Sequence, residues 1–582
     1  MCGILATTGK DIPPAALETL RKRGPDDKGI LSLKGAVLGH TRLAIIDLSP
    51  AGHQPMQDEA AGTAISFNGE IYNYRELRKD LETKGHRFTT HSDTEVILKA
   101  YVQFGEECPK HLDGMFAFVL WDSKRERMFL ARDRFGKKPL YYGYTPEGAF
   151  VAASEIKALA AMGLHGILDP TGLDSYLALM YVPPWRTVYK NIHALLPGHC
   201  AAYERGKLTT TQYWQLPIKP VQVSYGEAKE EVRRLLNEAV RKRMIADVEI
   251  GSLLSGGVDS TIVTAYAQKH ASHPLKTFSL GYGEYIDELP FAKQASDVIG
   301  TDHHTLQANT DLIGELEAML SYFDEPHGDP ADFPQHLVSE LAASKVKVAL
   351  SGDGGDEVFL GYGLYWGYWN SSKLARLRNA LLSNPYREHL RHHTVFPASL
   401  RRTLWQQAPA MESIDQLVPQ VAGNGIQKMN LFDIHTYLPG QILTKVDRAS
   451  MMHSLEVRSP LLDYQLAEFV FNLPEKYKTD RTSGKLILKD LLAEVMPREF
   501  VDRKKQGFGA PVRKWLSEEK MRAYVEEKLG DSARVYTFLR KQAVRDFIAK
   551  TYAATRPKAY YQLWTLLCLE LWLRAHEGRY TL

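Results

Sequence analysis

The spacing of hydrophobic residues changes once along this 582-residue chain, and the change constrains its fold more than any other feature. From Ala36 to about Ser154, apolar and polar residues alternate with a period of two, which is typical of half-buried strands. From about Tyr225 onward, short apolar runs alternate with helical segments, which is typical of a parallel sheet covered by helices. The sequence therefore predicts an α/β multidomain chain, with a layered, mostly antiparallel domain followed by a doubly wound parallel sheet.

Individual elements can be predicted from the same pattern. In the first half, helices are expected over residues 74–84 and 93–104, between strand-like runs. These runs are AVLGHTRLAIID, TAISFNGEI, MFAFVLWD, RMFLARD, PLYYGY and GAFVAAS. In the second half, a helix is expected over 225–244, strands over 248–254, 276–281 and 346–350, and a mainly helical extension after about Glu357. The stretch LPIKPVQVS at 216–224 is a candidate linker, so the expected domains are 1–215 and 216–582.

Composition excludes several classes of protein. The 72 basic and 69 acidic residues give a net charge of +3, which provides no overall field for nucleic acid or an anionic membrane. The most apolar run, 563–573, is shorter than the ~18 residues that a membrane span needs, and it carries Glu570, so it predicts a buried helix. The four cysteines have neither disulfide-framework nor zinc spacing. We expect a cytoplasmic protein without a secretory signal, and with no nucleic-acid or membrane partner.

Residues 371–402 are rich in basic side chains, which favours a solvated helical face. Within this stretch His392 and His393 are adjacent, so they do not share one side of a helix. The sequence therefore predicts no metal site at this pair.

The first chemical feature is the start of the chain, Met1-Cys2-Gly3. Removal of the initiator methionine would leave Cys2 with a free α-amine beside its thiol. An α-amine has a pKa of about 7.7–8.0, so it can act as a base near neutral pH. A nucleophile that carries its own base parallels the catalytic N-terminal threonine of other enzymes.

Five further motifs follow in order within the first 118 residues. They are RGPDD (23–27), HTRLAIID (40–47), FNGEIYNY (67–74), HSDTE (91–95) and LDGMFAF (112–118). Together with Cys2 they resemble the class II glutamine amidotransferase domain, an N-terminal-nucleophile (Ntn) hydrolase. The resemblance implies an αββα layered domain that releases ammonia from glutamine.

The resemblance also implies a role for each matching residue. The cysteine thiol attacks the side-chain amide carbon of glutamine, and the resulting oxyanion needs preorganised donors. Asn68 would supply its side-chain NH₂ group and Gly69 its backbone N–H. Arg42 would bind the α-carboxylate of glutamine, since a guanidinium pairs bidentately with a carboxylate. Glu70 and Asp93 would bind the α-ammonium group.

A second site is indicated where the apolar run EIGSLL leads into SGGVDS at 255–260 and then into a helical segment. Serine and glycine at this position expose N–H groups beside a helix N-terminus, which attracts phosphate. The pattern lacks the Walker A spacing and resembles the PP-loop of ATP pyrophosphatases. The residues expected to bind ATP here are Leu254, Ser255, Gly256, Gly257, Asp259 and Ser260. Asp259 is also a candidate Mg²⁺ ligand.

The motif SGDGGDE at 351–357 follows another apolar strand, VKVAL. Because ligands of doubly wound sheets bind outside the carboxyl ends of the strands, this motif and SGGVDS are expected to face one crevice. Ser351 and Gly352 would contact ATP, and Asp356 would be the second Mg²⁺ ligand. Asp353 would orient or deprotonate the attacking amine.

Three later segments extend the match to almost the whole chain: 443–463, 482–492 and 503–515. They resemble the synthetase domain of the glutamine-dependent asparagine synthetases. The resemblance implies that Lys485 neutralises charge on the α-phosphate during adenylation. Four charged residues of the first segment are expected to form a site wall or an ion-pair network: Arg448, Glu456, Arg458 and Asp463.

The implied activity is glutamine-dependent synthesis of asparagine from aspartate, with ATP as a substrate, Mg²⁺ as a cofactor and a homodimer as the assembly. Amidation of another carboxylate, in a surface polysaccharide or a secondary-metabolite precursor, is an open alternative. Some asparagine synthetases have Glu where this chain has Asp353, which draws the carboxylate back by about 1.5 Å. A catalytically silent sensor is disfavoured, because the key residues of both sites are present.

Overall fold

The structure is a computed structural model. It describes residues 1–281, 287–308, 311–365, 385–407, 409, 425–480, 482–503, 510–554 and 556–581. Parts of two sequence predictions lie outside the described residues: residues 371–384 of the basic stretch 371–402, and residues 504–509 of the segment 503–515. The described residues form two large antiparallel sheets in the first half, one parallel sheet in the second half and a two-stranded sheet that joins the halves.

Each antiparallel sheet has six strands. In spatial order, the first sheet consists of Ile192–Ala194, Tyr141–Tyr144, Phe150–Ala153, Gly3–Thr7, Ala36–Arg42 and Asp27–Leu33. The second consists of Lys207–Gln212, His199–Glu204, Arg127–Arg132, Gly114–Asp122, Thr63–Ile71 and Met56–Asp58. The strand Gly3–Thr7 is buried along its whole length and lies inside the first sheet, which fixes the position of the residue before it.

Helices cover the outer faces of these two sheets. Ile4 and Leu38 of one sheet and Val119 and Leu130 of the other share an apolar cluster between the sheets. The helices of this half are Pro14–Glu18, Tyr74–Thr83, Asp93–Phe104, Cys108–His111, Ile156–Ala161 and Pro170–Leu179, with 3₁₀ turns at Pro50–Gly52 and Gly105–Glu107. Side chains of the second and third helices pack on the outer face of the second sheet. The predicted αββα layering is confirmed.

The parallel sheet has five strands, in the order Asp302–Gln307, Lys276–Gly281, Ile250–Leu253, Val348–Leu350 and Glu456–Arg458. Every neighbouring pair in it is parallel. The carboxyl ends of Ile250–Leu253 and Val348–Leu350 therefore lie side by side, which places their following loops together. The predicted doubly wound parallel sheet is confirmed, and helices pack around it.

The second half is otherwise helical. Its helices before residue 452 are Tyr225–Arg243, Val258–His270, Leu289–Ile299, Leu312–Tyr322, Asp332–Ala343, Gly355–Val358, Pro385–His393, Ala398–Leu404, Gly425–Phe432, the π-helix Asp433–Ile442, and Leu443–Met451. The later ones are Tyr464–Asn472, Leu486–Leu492, Arg498–Val501, Val512–Ser517, Glu519–Lys528, Lys541–Ala554 and Pro557–Ala575, with 3₁₀ turns at Pro460–Leu462, Glu475–Tyr477 and Arg534–Thr537. Two short strands, Gly166–Ile167 and Tyr580–Thr581, pair in parallel and join the last residues to the first half.

The helices predicted over 74–84, 93–104 and 225–244 are confirmed to within one residue at their ends. The run at 36–47 is a strand only as far as Arg42. Beyond it the chain turns back, and the carbonyl groups of Ile46 and Asp47 accept hydrogen bonds from the Arg42 guanidinium. Among the residues that the structure describes, none of the helices has the length and apolar composition that crossing a bilayer requires.

Candidate active sites

The first candidate site surrounds Cys2, which lies directly before the buried strand Gly3–Thr7. Its backbone N–H donates to Asn68 Oδ1 at 2.9 Å, and its carbonyl accepts from Arg23 Nε at 3.0 Å. The residue is only 7% exposed, and burial raises the pKa of the Cys2 thiol. A thiol in this state needs a base close by before it can act as a nucleophile.

Asn68 and Gly69 lie next to this cysteine, on the strand Thr63–Ile71 of the facing sheet. Asn68 Oδ1 is occupied by the Cys2 N–H, whereas Asn68 Nδ2 is buried without a hydrogen-bond partner among the described residues. Gly69 has φ 146°, and a Cβ there would lie 1.9 Å from the carbonyl oxygen of Met115. The strand thus presents one buried, unused donor, beside a position that only glycine can occupy.

Met1 is present in the structure and is buried beside this site. Its amine lies 3.7 Å from Glu456 Oε2, and burial lowers the pKa of this amine. Cleavage after Met1 would convert the Cys2 N–H into a free amine next to Asn68 Oδ1. The amine would then lie on the same residue as the thiol, in the position that a base requires.

Arg42 and Asp93 lie near this site on separate elements. Arg42 ends its strand, and its Nη2 donates to Asp47 O at 2.6 Å, which fixes the guanidinium. Asp93 begins the helix Asp93–Phe104, and its Oδ2 accepts from Ile71 N at 2.9 Å. Burial raises the pKa of Asp93 to about 6, although the hydrogen bond from Ile71 opposes this shift.

Glu70 is buried and faces the second half of the chain. Its Oε1 lies 3.5 Å from Arg458 Nη2. Burial, together with the nearby Glu456 carboxylate, raises the pKa of Glu70 well above its usual value. The carboxylate expected to bind the glutamine ammonium thus contacts a cation from the other half of the molecule.

The second candidate site begins at the loop after the strand Ile250–Leu253. Ser255 N donates to Ser260 Oγ at 3.2 Å, and Gly257 N donates to Ser255 Oγ at 3.3 Å. Gly256 has φ 70°, and a Cβ there would lie 2.6 Å from the backbone of Phe291. The loop is therefore a tight backbone turn that leads into the N-terminus of the helix Val258–His270.

The loop 351–356 packs directly against this first loop. A Cβ on Gly352 would lie 2.7 Å from Ser260 N, and one on Gly355 would lie 2.5 Å from Asp259 Cγ. Side chains at these two positions would force the loops apart. The glycines of SGDGGDE therefore explain how the two motifs come together at neighbouring strand ends, as the sequence predicts.

Lys485 connects the two loops. Its Nζ contacts Asp259 Oδ2 and lies 2.9 Å from Asp356 Oδ1. Burial alone would lower the pKa of Lys485, but these two carboxylates raise it above its usual value. The lysine therefore carries its charge between two acidic side chains, before the helix Leu486–Leu492.

A cavity of about 1420 Å³ opens at this point. All eight residues predicted to bind ATP line it, together with Asp353, Asp356 and Lys485. Asp353 Oδ2 accepts a hydrogen bond from Ser351 Oγ at 2.6 Å, and burial raises the pKa of Asp353.

Sequence reasoning missed several charged and phenolic residues of this cavity. The missed lining residues are Glu357, Tyr362, Lys445, Lys489 and Arg503. Lys445 Nζ lies 3.1 Å from Asp329 Oδ2, and the nearby Asp353 carboxylate also contributes to raising its pKa despite burial. Lys445 belongs to the segment 443–463 that carries the family resemblance, and this was a signal of a functional role. The signal is weak by itself, because a lysine inside a helix is usually solvated.

Buried ion pairs involve the segment 443–463: two connect the two halves, and two others lie within the second half. Arg23 Nη1 lies 2.8 Å from Asp447 Oδ2, and Arg448 Nη1 lies 2.7 Å from Glu155 Oε1. Arg458 Nε lies 2.7 Å from Glu456 Oε1. The remaining pair joins Asp463 to Arg243 at 3.1 Å. The four charged residues of 443–463 thus form ion pairs, which was one of the two predicted roles.

Comparison with known proteins matches both halves. The family model described as asparagine synthase matches residues 231–574, and that of a glutamine amidotransferase domain matches residues 1–214. Glutamine-hydrolyzing asparagine synthetase 1 of Bacillus subtilis is 32% identical, over 94% of this chain and 91% of its own length. A putative glutamine-hydrolyzing asparagine synthetase of Mycobacterium tuberculosis is also 32% identical, over 98% of this chain and 97% of its own length.

A more distant relative, the amidase chry2 of Gibberella zeae, is 28% identical over 88% of both chains. Among solved structures, a B. subtilis glutamine phosphoribosylpyrophosphate amidotransferase aligns with a TM-score of 0.29 and 16% identity, over 52% of this chain and 65% of that one. The family models and full-length relatives cover both candidate sites. The chain therefore belongs to the glutamine-hydrolysing asparagine synthetase family of ATP-dependent ligases, in which a glutamine amidotransferase domain accompanies a synthetase domain.

Proposed function

We propose that this enzyme makes asparagine from aspartate, glutamine and ATP, with ammonia passing from the first site to the second. The observation that carries the proposal is the contact of Lys485 with Asp259 and Asp356, at the ends of two neighbouring parallel strands. This arrangement supports binding of a polyphosphate with its counter-ion in the 1420 Å³ cavity. The buried Cys2 and Asn68 pair supports an ammonia source in the same chain.

At the first site, the free amine of Cys2 accepts the thiol proton, and the sulfur attacks the side-chain carbonyl carbon of glutamine. Asn68 Nδ2 and the Gly69 N–H stabilise the oxyanion, since buried donors aimed at developing charge lower the barrier. The leaving nitrogen takes a proton and departs as ammonia. Water then cleaves the thioester to give glutamate and restores the thiol.

At the second site, a β-carboxylate oxygen of aspartate attacks the α-phosphorus of ATP, and pyrophosphate leaves. The activated product is a mixed anhydride, because a free carboxylate is a poor electrophile. Lys485 neutralises charge on the α-phosphate as the new bond forms. Carboxylate oxygens are the donors that Mg²⁺ prefers, so Asp259 and Asp356 would hold this ion, which screens the phosphate charge.

Ammonia then attacks the anhydride carbonyl, and AMP leaves with one oxygen from aspartate. Asp353 would accept the proton that the attacking nitrogen loses, and the rise that burial causes in the pKa of its carboxyl group supports this role. Lys445 would attract the second carboxylate of the acceptor, because it is a buried cation on the same cavity wall.

A second candidate is the same two-site chemistry on a different carboxylate. The cavity of about 1420 Å³ has to hold ATP as well as the acceptor, so its volume is compatible with aspartate and with a larger carboxylate. Asp353, one methylene shorter than Glu, leaves additional room. The full-length similarity to an amidase supports the same alternative.

The domain division at 215/216, the homodimer and the cytoplasmic location stay predictions from the sequence. Residues 215–224 contain neither helix nor strand, which supports a connection at this point. The backbone of residues 215–224 contacts the second half, because Val221 N donates a hydrogen bond to Asn472 O at 3.0 Å.

Transfer of heavy oxygen tests the adenylation step. Aspartate labelled with heavy oxygen in its β-carboxylate is incubated with glutamine, Mg²⁺ and ATP, and AMP is analysed by mass spectrometry. Our proposal predicts one labelled oxygen in each AMP formed and none in pyrophosphate. Label-free AMP, or cleavage of ATP to ADP, would contradict it.

A further inference from the structure

A second cluster of ionisable side chains lies outside both candidate active sites. His389 and His393 occupy positions i and i+4 of the helix Pro385–His393, so their side chains project from one face. Asp433 begins the π-helix Asp433–Ile442, which packs against them. The sequence prediction considered only His392 with His393 and therefore missed this combination.

The three side chains converge on one point. One ligand atom from each lies within 4.8 Å of the other two. His389 Nε2 lies 2.9 Å from Asp433 Oδ1, and His393 Nε2 lies 3.2 Å from the same oxygen. Neighbouring ligand atoms around a tetrahedral Zn²⁺ are separated by about 3.3 Å, given bonds of about 2.0–2.1 Å. The two nitrogen–oxygen distances are already close to that spacing, and the two nitrogens lie within 4.8 Å of each other.

Hydrogen bonding leaves this cluster incomplete. The side chain of His393 is 10% exposed, and those of His389 and Asp433 are fully buried. His393 Nε2 faces the same Asp433 oxygen as His389 Nε2, but its contact of 3.2 Å is longer and less well aligned than the 2.9 Å hydrogen bond of His389. One carboxylate oxygen therefore faces two imidazole nitrogens and bonds well with only one. A cation at the centre would use all three atoms, which a pair of hydrogen bonds does not achieve.

The donor set indicates which ion fits. Two imidazoles and one carboxylate suit Zn²⁺ and other first-row transition metals such as Fe²⁺, whereas Mg²⁺ and Ca²⁺ prefer oxygen ligands alone. The second oxygen of Asp433 accepts a hydrogen bond from the hydroxyl of buried Tyr365. An outer contact of this kind orients a ligating carboxylate and is a regular feature of metal sites.

We propose that His389, His393 and Asp433 bind a Zn²⁺ ion that holds the helix Pro385–His393 to the π-helix Asp433–Ile442. This π-helix contributes Tyr437 and Ile442 to the wall of the 1420 Å³ cavity, and the His393 ring packs 4.7 Å from the Tyr437 ring. The ion therefore has a structural role: it stabilises the π-helix that forms part of the cavity wall. The proposal does not depend on which carboxylate the enzyme amidates.

Metal content and Co²⁺ spectroscopy test the proposal on the full-length protein. The protein is stripped with a chelator, dialysed, and titrated with ZnCl₂ in excess Mg²⁺, which occupies sites made of carboxylates. We expect one tightly bound Zn²⁺ per chain, and Co²⁺ in its place should give the visible absorption of a tetrahedral nitrogen–oxygen site. Removal of the ion should lower the melting temperature, and Zn²⁺ should restore it.

His393→Gln and His389→Gln each remove one ligand, and His392→Gln is the matched control because His392 is exposed on the same helix. We expect at least a tenfold loss of Zn²⁺ affinity in the first two variants and no loss in the control. Wild-type protein that takes up no stoichiometric Zn²⁺ would overturn the proposal without any variant. Equal Zn²⁺ affinity in all three variants would also overturn it, and would identify the cluster as a buried His–Asp ion pair.

Discussion

The guanidinium of Arg458 lies 3.5 Å from the carboxylate of Glu70, and this contact joins the two halves of the enzyme. Glu70 belongs to the strand that carries Asn68 and Gly69, and Arg458 belongs to the edge strand of the parallel sheet. Arg458 also bonds Glu456, whose second oxygen faces the Met1 amine. A continuous set of buried charges therefore runs from the first candidate site to the sheet that carries the second candidate site.

Replacement of Arg458 should destabilise the protein strongly. Arg458→Gln leaves Glu70 and Glu456 buried without their cation, and breaking a buried pair in this way costs about 3–5 kcal/mol. We expect a clear fall in the urea midpoint. Arg205→Gln is the control, since Arg205 is 88% exposed and should change stability by less than about 0.5 kcal/mol. Equal midpoints for the two variants would show that the buried contact contributes little.

Cys2→Ala should separate the two half-reactions. The variant lacks the nucleophile, so glutaminase activity and glutamine-dependent synthesis should fall to background, while ammonium salts still support synthesis. Cys108→Ala is the control, because Cys108 is buried elsewhere in the first half. Intact mass of the wild-type protein should show the loss of Met1. Glutamine use by Cys2→Ala would rule out the first site.

The pH dependence of glutamine binding should follow Asp93. Burial raises the pKa of Asp93 to about 6, so the carboxyl group is ionised above this pH and neutral below it. Only the ionised form attracts the ammonium of glutamine, so KM for glutamine should rise about tenfold per pH unit below 6. Asp93→Asn should raise KM at every pH and make the profile less steep; the dependence that is left would belong to Glu70, whose pKa is also raised. A wild-type KM that is constant from about pH 5 to 7 would exclude this role.

Lys485→Gln should affect only the second site. Loss of a buried cation that stabilises transition-state charge typically lowers kcat by about 10²–10³. We expect this fall in pyrophosphate release, with glutaminase activity unchanged. Lys520→Gln, at a 78% exposed position, should leave both activities intact. An equal loss of glutaminase activity in Lys485→Gln would mean that the substitution disturbs the whole fold and not the second site alone.

Local patterns in the sequence predicted much of the fold. The period of two in TAISFNGEI identifies the strand Thr63–Ile71, and the helical spacing after Ser92 identifies the helix Asp93–Phe104. The strand Gly3–Thr7 was missed, because it is buried on both faces and so lacks alternation. This omission matters for function, since the strand fixes the position of Cys2.

Contacts between distant residues could not be predicted from one sequence. Arg23 and Asp447 form a buried pair although 424 positions separate them, and nothing local to either residue indicates its partner. His389 and Asp433 are 44 positions apart, on two helices whose packing the sequence does not specify. The proximity of the motifs at 255–260 and 351–357 could be predicted, because strand ends in a parallel sheet meet at one edge.

The most direct test of the account measures pyrophosphate release with Mg²⁺, ATP and glutamine, in the presence and absence of aspartate, with mass detection of the amide product. The account predicts pyrophosphate release that depends on aspartate, with one asparagine, one glutamate and one AMP formed for each pyrophosphate. Glutamine hydrolysis without aspartate-dependent pyrophosphate release would contradict aspartate as the acceptor. That result would leave the two-site architecture in place and direct attention to a larger carboxylate.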